Sequence, residues 1–430
     1  MLVKTVECWR TKLYQAPRGT IDILPEEQAY WRYIEDKAAA ISQRYGYRRI
    51  DTPVFEDTGL FIRGVGEATD IVHKEMYTFE DRGGNKLTLR PEGTAPVCRA
   101  YLEHGMQNLS QPVKLFYICS LYRYERPQAG RYREFRQFGC EAIGEIDPAL
   151  DAEVIDMAWQ FFVLLGMDQL HLKINSIGCK NCRPAYLDRL KGYYAQCQPQ
   201  LCPDCRNRLG RNPLRLLDCK NTSCQQIAAS APKSYEHLCP ECAAHFERLQ
   251  KDISLLGLPF EIDSCLVRGL DYYTRTVFEI QPEAEGSQSA LGGGGRYDDL
   301  IEELGGKPTP GIGFASGIER IITNLKKQNL PIPPLPAPVV YIASIGEVAR
   351  EAATKLAGDL RRQGINLIQA QGVKSLKAQL RQANALGTRY AVIIGEDEVK
   401  TGTVTVRHMT DALQENIPVN DLLERLYRQD

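Results

Sequence analysis

The chain has 430 residues, 43% hydrophobic and 25% charged, with 53 Lys and Arg against 54 Asp and Glu for a formal charge of −1. That length exceeds one compact domain, and two or three are expected in an otherwise ordinary globular composition. The near-neutral balance excludes a chain that grips nucleic acid through bulk charge, so any phosphate-binding surface has to be a local basic patch. No apolar run approaches the roughly 18 residues of a membrane span. Residues 1–15 carry Glu7 and no apolar core, so they do not read as a secretory signal, and the expected location is cytoplasmic. Without such a signal, fourteen Cys point to metal ligation rather than disulfides.

Residues 26–45 place Tyr30, Ile34, Ala38 and Ile41 on one helical face behind Pro25, and Gly46 ends the run. Residues 47–53 predict a strand, and 86–89 a short one closed by Pro91. Two longer strand-like runs, 113–124 and 134–143, flank an Arg-, Gln- and Gly-rich stretch, which makes a hairpin with a long positive tip. A helix follows at 151–165 and a strand at 170–177. From Cys179 to Cys242 apolar periodicity weakens, which marks a small inserted domain, bounded at 178–250, within a larger domain at 1–330. Strand signals return at 260–267 and 277–281. Gly292, Gly293, Gly294 and Gly295 precede a predicted helix at 297–304, and 311–325 reads as a Gly-rich strand running into a helix. Five prolines from Pro331 to Pro338 make a stiff linker over 331–338. Beyond it, at 339–430, a βαβαβ alternation (339–344, 349–363, 365–369, 376–386, 390–395) predicts a separate small α/β domain.

Arg90, Arg123, Arg268 and Arg320 each sit at the edge of an apolar run, where a guanidinium suits phosphate or carboxylate; for any one of them, surface ion pairing explains it as well. No P-loop pattern is present. Four cysteine pairs fall between residues 179 and 242: Cys179/Cys182, Cys202/Cys205, Cys219/Cys224 and Cys239/Cys242. Three are C-x-x-C, a spacing that lets two thiolates chelate one tetrahedral ion, so one or two structural zinc sites, each of four cysteines, are expected. Which pairs share an ion is open, and reduced, partly buried thiols are the plain alternative.

Several stretches resemble the histidyl-tRNA synthetases, and in the family's order. Residues 89–94 (Leu-Arg-Pro-Glu-Gly-Thr) are similar to a histidine-binding motif, and 266–273 (Leu-Val-Arg-Gly-Leu-Asp-Tyr-Tyr) to the motif peculiar to that family. Residues 47–53, 116–144 and 311–320 are similar to motifs 1, 2 and 3 of the class II synthetases. The likeness runs from about residue 16 to the end; the cysteine pairs depart from the family's commonest pattern but lie outside these motifs.

The resemblance implies an α+β catalytic domain with a mainly antiparallel sheet flanked by helices, and a C-terminal α/β domain of the anticodon-binding kind. It implies ATP-dependent ligation of L-histidine to tRNA(His) through histidyl-adenylate, with Mg2+ bridging the phosphates, by a homodimer paired through motif 1. By carry-over, Arg123 and Arg268 hold the α-phosphate from two sides, and Arg320 and Glu125 hold the rest of ATP. Such preorganised cations stabilise the charge that builds around phosphorus during in-line attack. Glu92, Thr94 and Gln137 match the residues that hold the α-ammonium group, Glu141 and Tyr273 the readers of the imidazole, with Arg268 and Tyr272 beside them. The four glycines bring backbone close to a ligand or mark a bulged strand end. Arg126, Gln128 and Arg131 on the motif 2 loop match a region that meets the tRNA acceptor end. A competing resemblance is to the non-catalytic paralogues that serve as regulatory subunits of ATP phosphoribosyltransferase. Those lose motif arginines and the C-terminal domain, whereas Arg123, Arg268, Arg320 and residues 339–430 are present here.

Overall fold

The two long strand-like runs at 113–124 and 134–143 form a hairpin within one eight-stranded sheet. The computed structural model describes residues 14–66, 69, 71–125, 131–283 and 290–427. Helix α1 (Gln28–Arg44) buries Trp31, Ile34, Ala38 and Ile41, and Gly46 leaves it at φ +78°, a left-handed turn suited to glycine. The run at 47–53 is a strand only over β1 (Arg48–Arg49). The carbonyls of Thr52 and Pro53 are diverted to the guanidinium of Arg90, at 2.6 and 3.1 Å, and so leave the ladder.

Three short strands, β2 (Phe55–Asp57), β3 (Tyr77–Glu80) and β4 (Lys86–Leu89), form a side sheet in the order β2-β4-β3, with α2 (Thr58–Val65) between the first two in sequence. Then come α3 (Thr94–Glu103) and the hairpin of β5 (Val113–Tyr122) with β6 (Glu134–Ile143). Helix α4 (Pro148–Leu164) starts where the Asp147 side chain accepts from Ala149 N at 2.9 Å, and β7 (Leu170–Ser176) follows. The cysteine-rich stretch folds as α5 (Arg183–Gln196), α6 (Pro203–Arg211), α7 (Thr222–Ala229) and α8 (Pro240–Leu255). Phe246, Leu249 and Ile253 of α8 join the main core beside α4.

The run at 260–267 forms only β8 (Phe260–Ile262), because Asp263 starts a turn, its side chain accepting from Cys265 N at 2.9 Å. The sheet continues with β9 (Thr274–Pro282), β10 (Gly292–Arg296) and β11 (Gly311–Gly317). The glycine run is thus itself a strand, paired on both sides, with a register shift between Gly295 and Arg296 that matches the bulge expectation. Between β10 and β11 lies only the short helix α9 (Leu300–Glu303), and α10 (Ile318–Lys327) leaves β11. The strand order is β1-β5-β6-β11-β10-β9-β7-β8, antiparallel except at the two edge pairs. This is the expected α+β architecture.

Contacts divide the chain into Met1–Pro333 and Pro334–Asp430. In the second unit β12 (Val340–Ser344), α11 (Glu347–Arg362), β13 (Leu367–Gln369), α12 (Leu376–Ala385) and β14 (Tyr390–Ile394) make the expected parallel βαβαβ. It is extended by α13 (Glu396–Thr401), antiparallel β15 (Thr403–His408) and β16 (Gln414–Pro418), and α14 (Leu422–Tyr427).

Behind the sheet, Arg296 is fully buried with its Nη2 2.7 Å from Asp151 and its Nη1 3.1 Å from Asp298. Asp151 also accepts from Thr276 Oγ1 at 2.6 Å, so α4, β9 and β10 are locked by one charged cluster. Arg296→Met should leave Asp151 buried without its main cation and destabilise this unit by about 3–5 kcal/mol. Denaturant unfolding checks this; a loss below about 1 kcal/mol would mean that the pair is energetically idle.

Candidate functional site

Glycine creates the cavity. A Cβ on Gly313 would stand 2.0 Å from Glu141 Oε2, and one on Gly293 would stand 2.6 Å from Phe278 O and 2.8 Å from an Arg268 nitrogen. The bare backbone of β10 and β11 therefore leaves room on one face of the sheet for a cavity of about 280 Å³. Every sequence-predicted substrate residue within the described part of the chain lines it.

Its floor is acidic and deeply buried. Glu141, on β6, is 1% exposed and receives three hydroxyl donors: Thr94 Oγ1 at 2.7 Å and Tyr117 OH at 3.3 Å on Oε1, and Tyr297 OH at 2.7 Å on Oε2. Burial pushes its pKa up to about 8, against the pull of those donors. Glu92 accepts from Thr94 N at 2.7 Å and Ala95 N at 2.8 Å, which caps α3. Burial raises its pKa too, while the two N–H groups oppose the rise. Tyr272 OH stands 3.5 Å from Glu92, and the Tyr272 and Tyr273 rings lie 4.8 Å apart. Gln137 completes this end of the lining from β6.

The other end is cationic. Arg123 donates from Nε to Pro91 O at 2.8 Å and lies over the Phe135 ring. Arg268 donates from Nη1 to Glu279 Oε2 at 2.8 Å, and Arg320 from Nη1 to Ala290 O at 3.2 Å. The Arg320 pKa is lowered, by burial first and then by the charge of Arg131. Arg131 stands 3.5 Å from Glu125, and both line the cavity. Arg126 and Gln128 lie outside the described residues. Arg90, the fourth strand-edge arginine, does not line the cavity and donates to the carbonyls of Thr52, Pro53 and Ser120, a structural use.

Three residues of the site were not assigned a role from sequence. Tyr117 and Tyr297 donate to Glu141, and Glu279 orients Arg268. Tyr117 faces inward on an apolar strand, where a phenol reads as core, and Tyr297 sat inside the predicted helix at 297–304. Only three-dimensional proximity reveals their roles.

The cysteine pairs sort into two nested sets. Cys179, Cys182, Cys239 and Cys242 form one, and Cys202, Cys205, Cys219 and Cys224 the other, the four sulfurs of each lying within 4.8 Å of one another. Within the sets, Cys179–Cys182 and Cys202–Cys219 are 3.8 and 3.9 Å apart at sulfur. A tetrahedron of Zn–S bonds of about 2.3 Å has edges of about 3.8 Å, so the spacing fits zinc and is far too long for a disulfide. Backbone N–H groups of Cys179 and Cys202 point at Cys182 Sγ and Cys224 Sγ, both at 3.3 Å, as suits thiolates.

A family model described as histidyl-tRNA synthetase matches residues 19–180 and 215–321, and one described as an anticodon binding domain matches 339–429. A histidine–tRNA ligase of Dehalococcoides mccartyi (strain 195) is 61% identical over 97% of this chain and 100% of its own length. That of Desulforamulus reducens is 51% identical over 95% of this chain and 97% of its own. The crystal structure of apo histidyl-tRNA synthetase from S. aureus superposes with a TM-score of 0.81 at 37% identity, covering 96% of this chain and 100% of that one.

Proposed function

The chain belongs to the histidyl-tRNA synthetase family, and on that premise we propose how its own residues join histidine to tRNA(His). Relatives carrying the ligase name match over nearly the whole chain, so the regulatory-paralogue reading is not favoured. The observation that carries the proposal is the separation of the cavity into a buried carboxyl floor and a three-arginine end.

Histidine binds at the floor. Glu141 as carboxylate accepts an imidazole N–H, with Tyr273 beside it, while Glu92, Thr94, Gln137 and Tyr272 hold the α-ammonium group. An apolar amino acid would leave these buried polar groups unpaired, which supports selection without editing. The histidine carboxylate then faces the guanidiniums. Arg123 and Arg268 hold the α-phosphate from two sides, and Arg320 binds the adenine and γ-phosphate end. Glu279 fixes the Arg268 fork, and Glu125 supplies a carboxylate for ATP with its Mg2+. Glu125 Oε2 is buried without a hydrogen bond and ion-paired with Arg131 at 3.5 Å, so a metal ion there would take the place of that guanidinium. When bound, Mg2+ would neutralise phosphate charge. Arg126, Gln128 and Arg131 meet the tRNA acceptor end, and residues 339–430 take the anticodon end. The family likeness, not the fold, is what supports a cytoplasmic homodimer; no helix among the described residues is long and apolar enough to cross a membrane.

Each cysteine set would hold one structural Zn2+, the outer set closing the inserted domain at 178–250 onto the sheet and the inner set stapling its tip. Protein purified under reducing conditions without chelator should carry two zinc ions per chain, and Cys205→Ser one. Absence of zinc from folded wild-type protein would refute the assignment.

With Glu141 raised to about 8, the free enzyme holds it protonated below that pH. The N–H acceptor appears only as pH climbs, so kcat/KM for histidine in pyrophosphate exchange should rise through about pH 8 and level off above about 9. Glu141→Gln should lower it by about a hundredfold or more by removing a charge-assisted bond. A flat profile from about pH 7 to 9, or a mild effect of the substitution, would overturn the role of Glu141.

A further inference from the structure

The cysteine-rich stretch touches the 268–273 loop beside the cavity at two points, each next to a different cysteine set. Arg183 follows Cys182 directly and opens α5. Its Nη2 donates to Tyr273 O at 2.5 Å and Gly178 O at 3.1 Å, and its Nε to Ile177 O at 3.3 Å. Gly178 O also accepts from Arg275 N at 2.9 Å, so the knuckle and the start of β9 are drawn together. The second point is Asn212, just past α6, the helix that carries Cys205. Its Nδ2 donates to the Asp271 carboxylate at 2.6 Å. The adjoining turn returns to the inner set through Arg215, whose Nη1 pairs with Asp218 at 2.6 Å immediately before Cys219. The loop that receives both contacts, residues 268–273, carries Arg268, Tyr272 and Tyr273, all of which line the cavity.

We propose that Arg183 and Asn212 are positioning residues, through which the cysteine-rich insertion sets the geometry of the 268–273 loop and so the affinity for histidine. The insertion is then a scaffold of the amino-acid pocket. The proposal rests on the zinc reading only for what fixes the two knuckles. A guanidinium that satisfies three main-chain carbonyls holds Tyr273 more stiffly than packing alone, because its loss leaves part-buried acceptors unpaired. Displacement of a binding group by about 1 Å is enough to cost up to about a hundredfold.

The test is histidine-dependent pyrophosphate exchange by full-length Arg183→Ala, Arg183→Lys, Asn212→Ala and Asn212→Asp, with KM for histidine and for ATP measured separately and zinc counted on the same preparations. Arg183→Ala should raise the histidine KM about tenfold while the ATP KM moves less than about twofold and zinc is retained. Arg183→Lys should fall between, since one ammonium cannot reach three carbonyls in the guanidinium's geometry. Asn212→Asp should exceed Asn212→Ala, because it sets a second carboxylate against Asp271. Unchanged histidine KM in zinc-bearing variants would overturn the proposal, as would equal rises for histidine and ATP accompanied by zinc loss. If Arg183→Ala does not fold, Arg183→Lys and the Asn212 pair decide the matter by the same criteria. Wild-type protein free of zinc would refute the metal assignment alone, leaving the kinetic comparison to judge the two contacts.

Discussion

The close approach of β10 to β11 governs this molecule's chemistry. A Cβ at Gly294 would lie 1.9 Å from the carbonyl oxygen of Gly313, and one at Gly313 would lie 2.0 Å from the Glu141 carboxyl. Backbone without side chains therefore roofs a carboxyl group that water barely reaches. That desolvation raises its pKa, and it makes any unmatched hydrogen-bonding partner at the floor expensive. On the proposed reading, selectivity for an amino acid with a ring N–H would follow from the same constraint that shapes the strands.

The opposite end obeys different physics. Arg123, Arg268 and Arg320 crowd one cavity, and each is steadied by a neighbour already in place: the Pro91 carbonyl, Glu279 and the Ala290 carbonyl. Orientation fixed in advance is what an in-line phosphoryl attack needs, since donors that must reorganise during the reaction contribute less. The buried pair of Arg296 with Asp151 lies behind the same strands and ties them to α4, so the rigidity of the site is backed by the core. The cysteine sets add a third support, bearing through Arg183 and Asn212 on the loop that carries Arg268 and the two tyrosines.

Much of this could be read from the chain itself. The hairpin of β5 and β6, helices α1 and α4 and the βαβαβ of the second unit follow from periodicity, and the residues that line the cavity from motif words whose order is itself informative. What escaped the reading did so for physical reasons. Residues 47–53 read as a strand, but Arg90 captures the carbonyls of Thr52 and Pro53. The glycine run lacks any side-chain period, so nothing marked it as a central strand. The nesting of the cysteine pairs depends on how α5 to α8 fold back, which spacing alone does not encode. Tyr117, Tyr297 and Glu279 gain their roles only by meeting Glu141 and Arg268 across strands distant in sequence.

The central claim is that one buried carboxyl and its hydroxyl partners choose the amino acid. Amino-acid-dependent exchange of pyrophosphate into ATP, run on the wild-type chain at about pH 8 without tRNA across a panel of amino acids, tests it most directly. The account predicts exchange with histidine and none with phenylalanine, leucine or glutamine. Exchange with an apolar member of the panel, or none with histidine from folded protein, would contradict it.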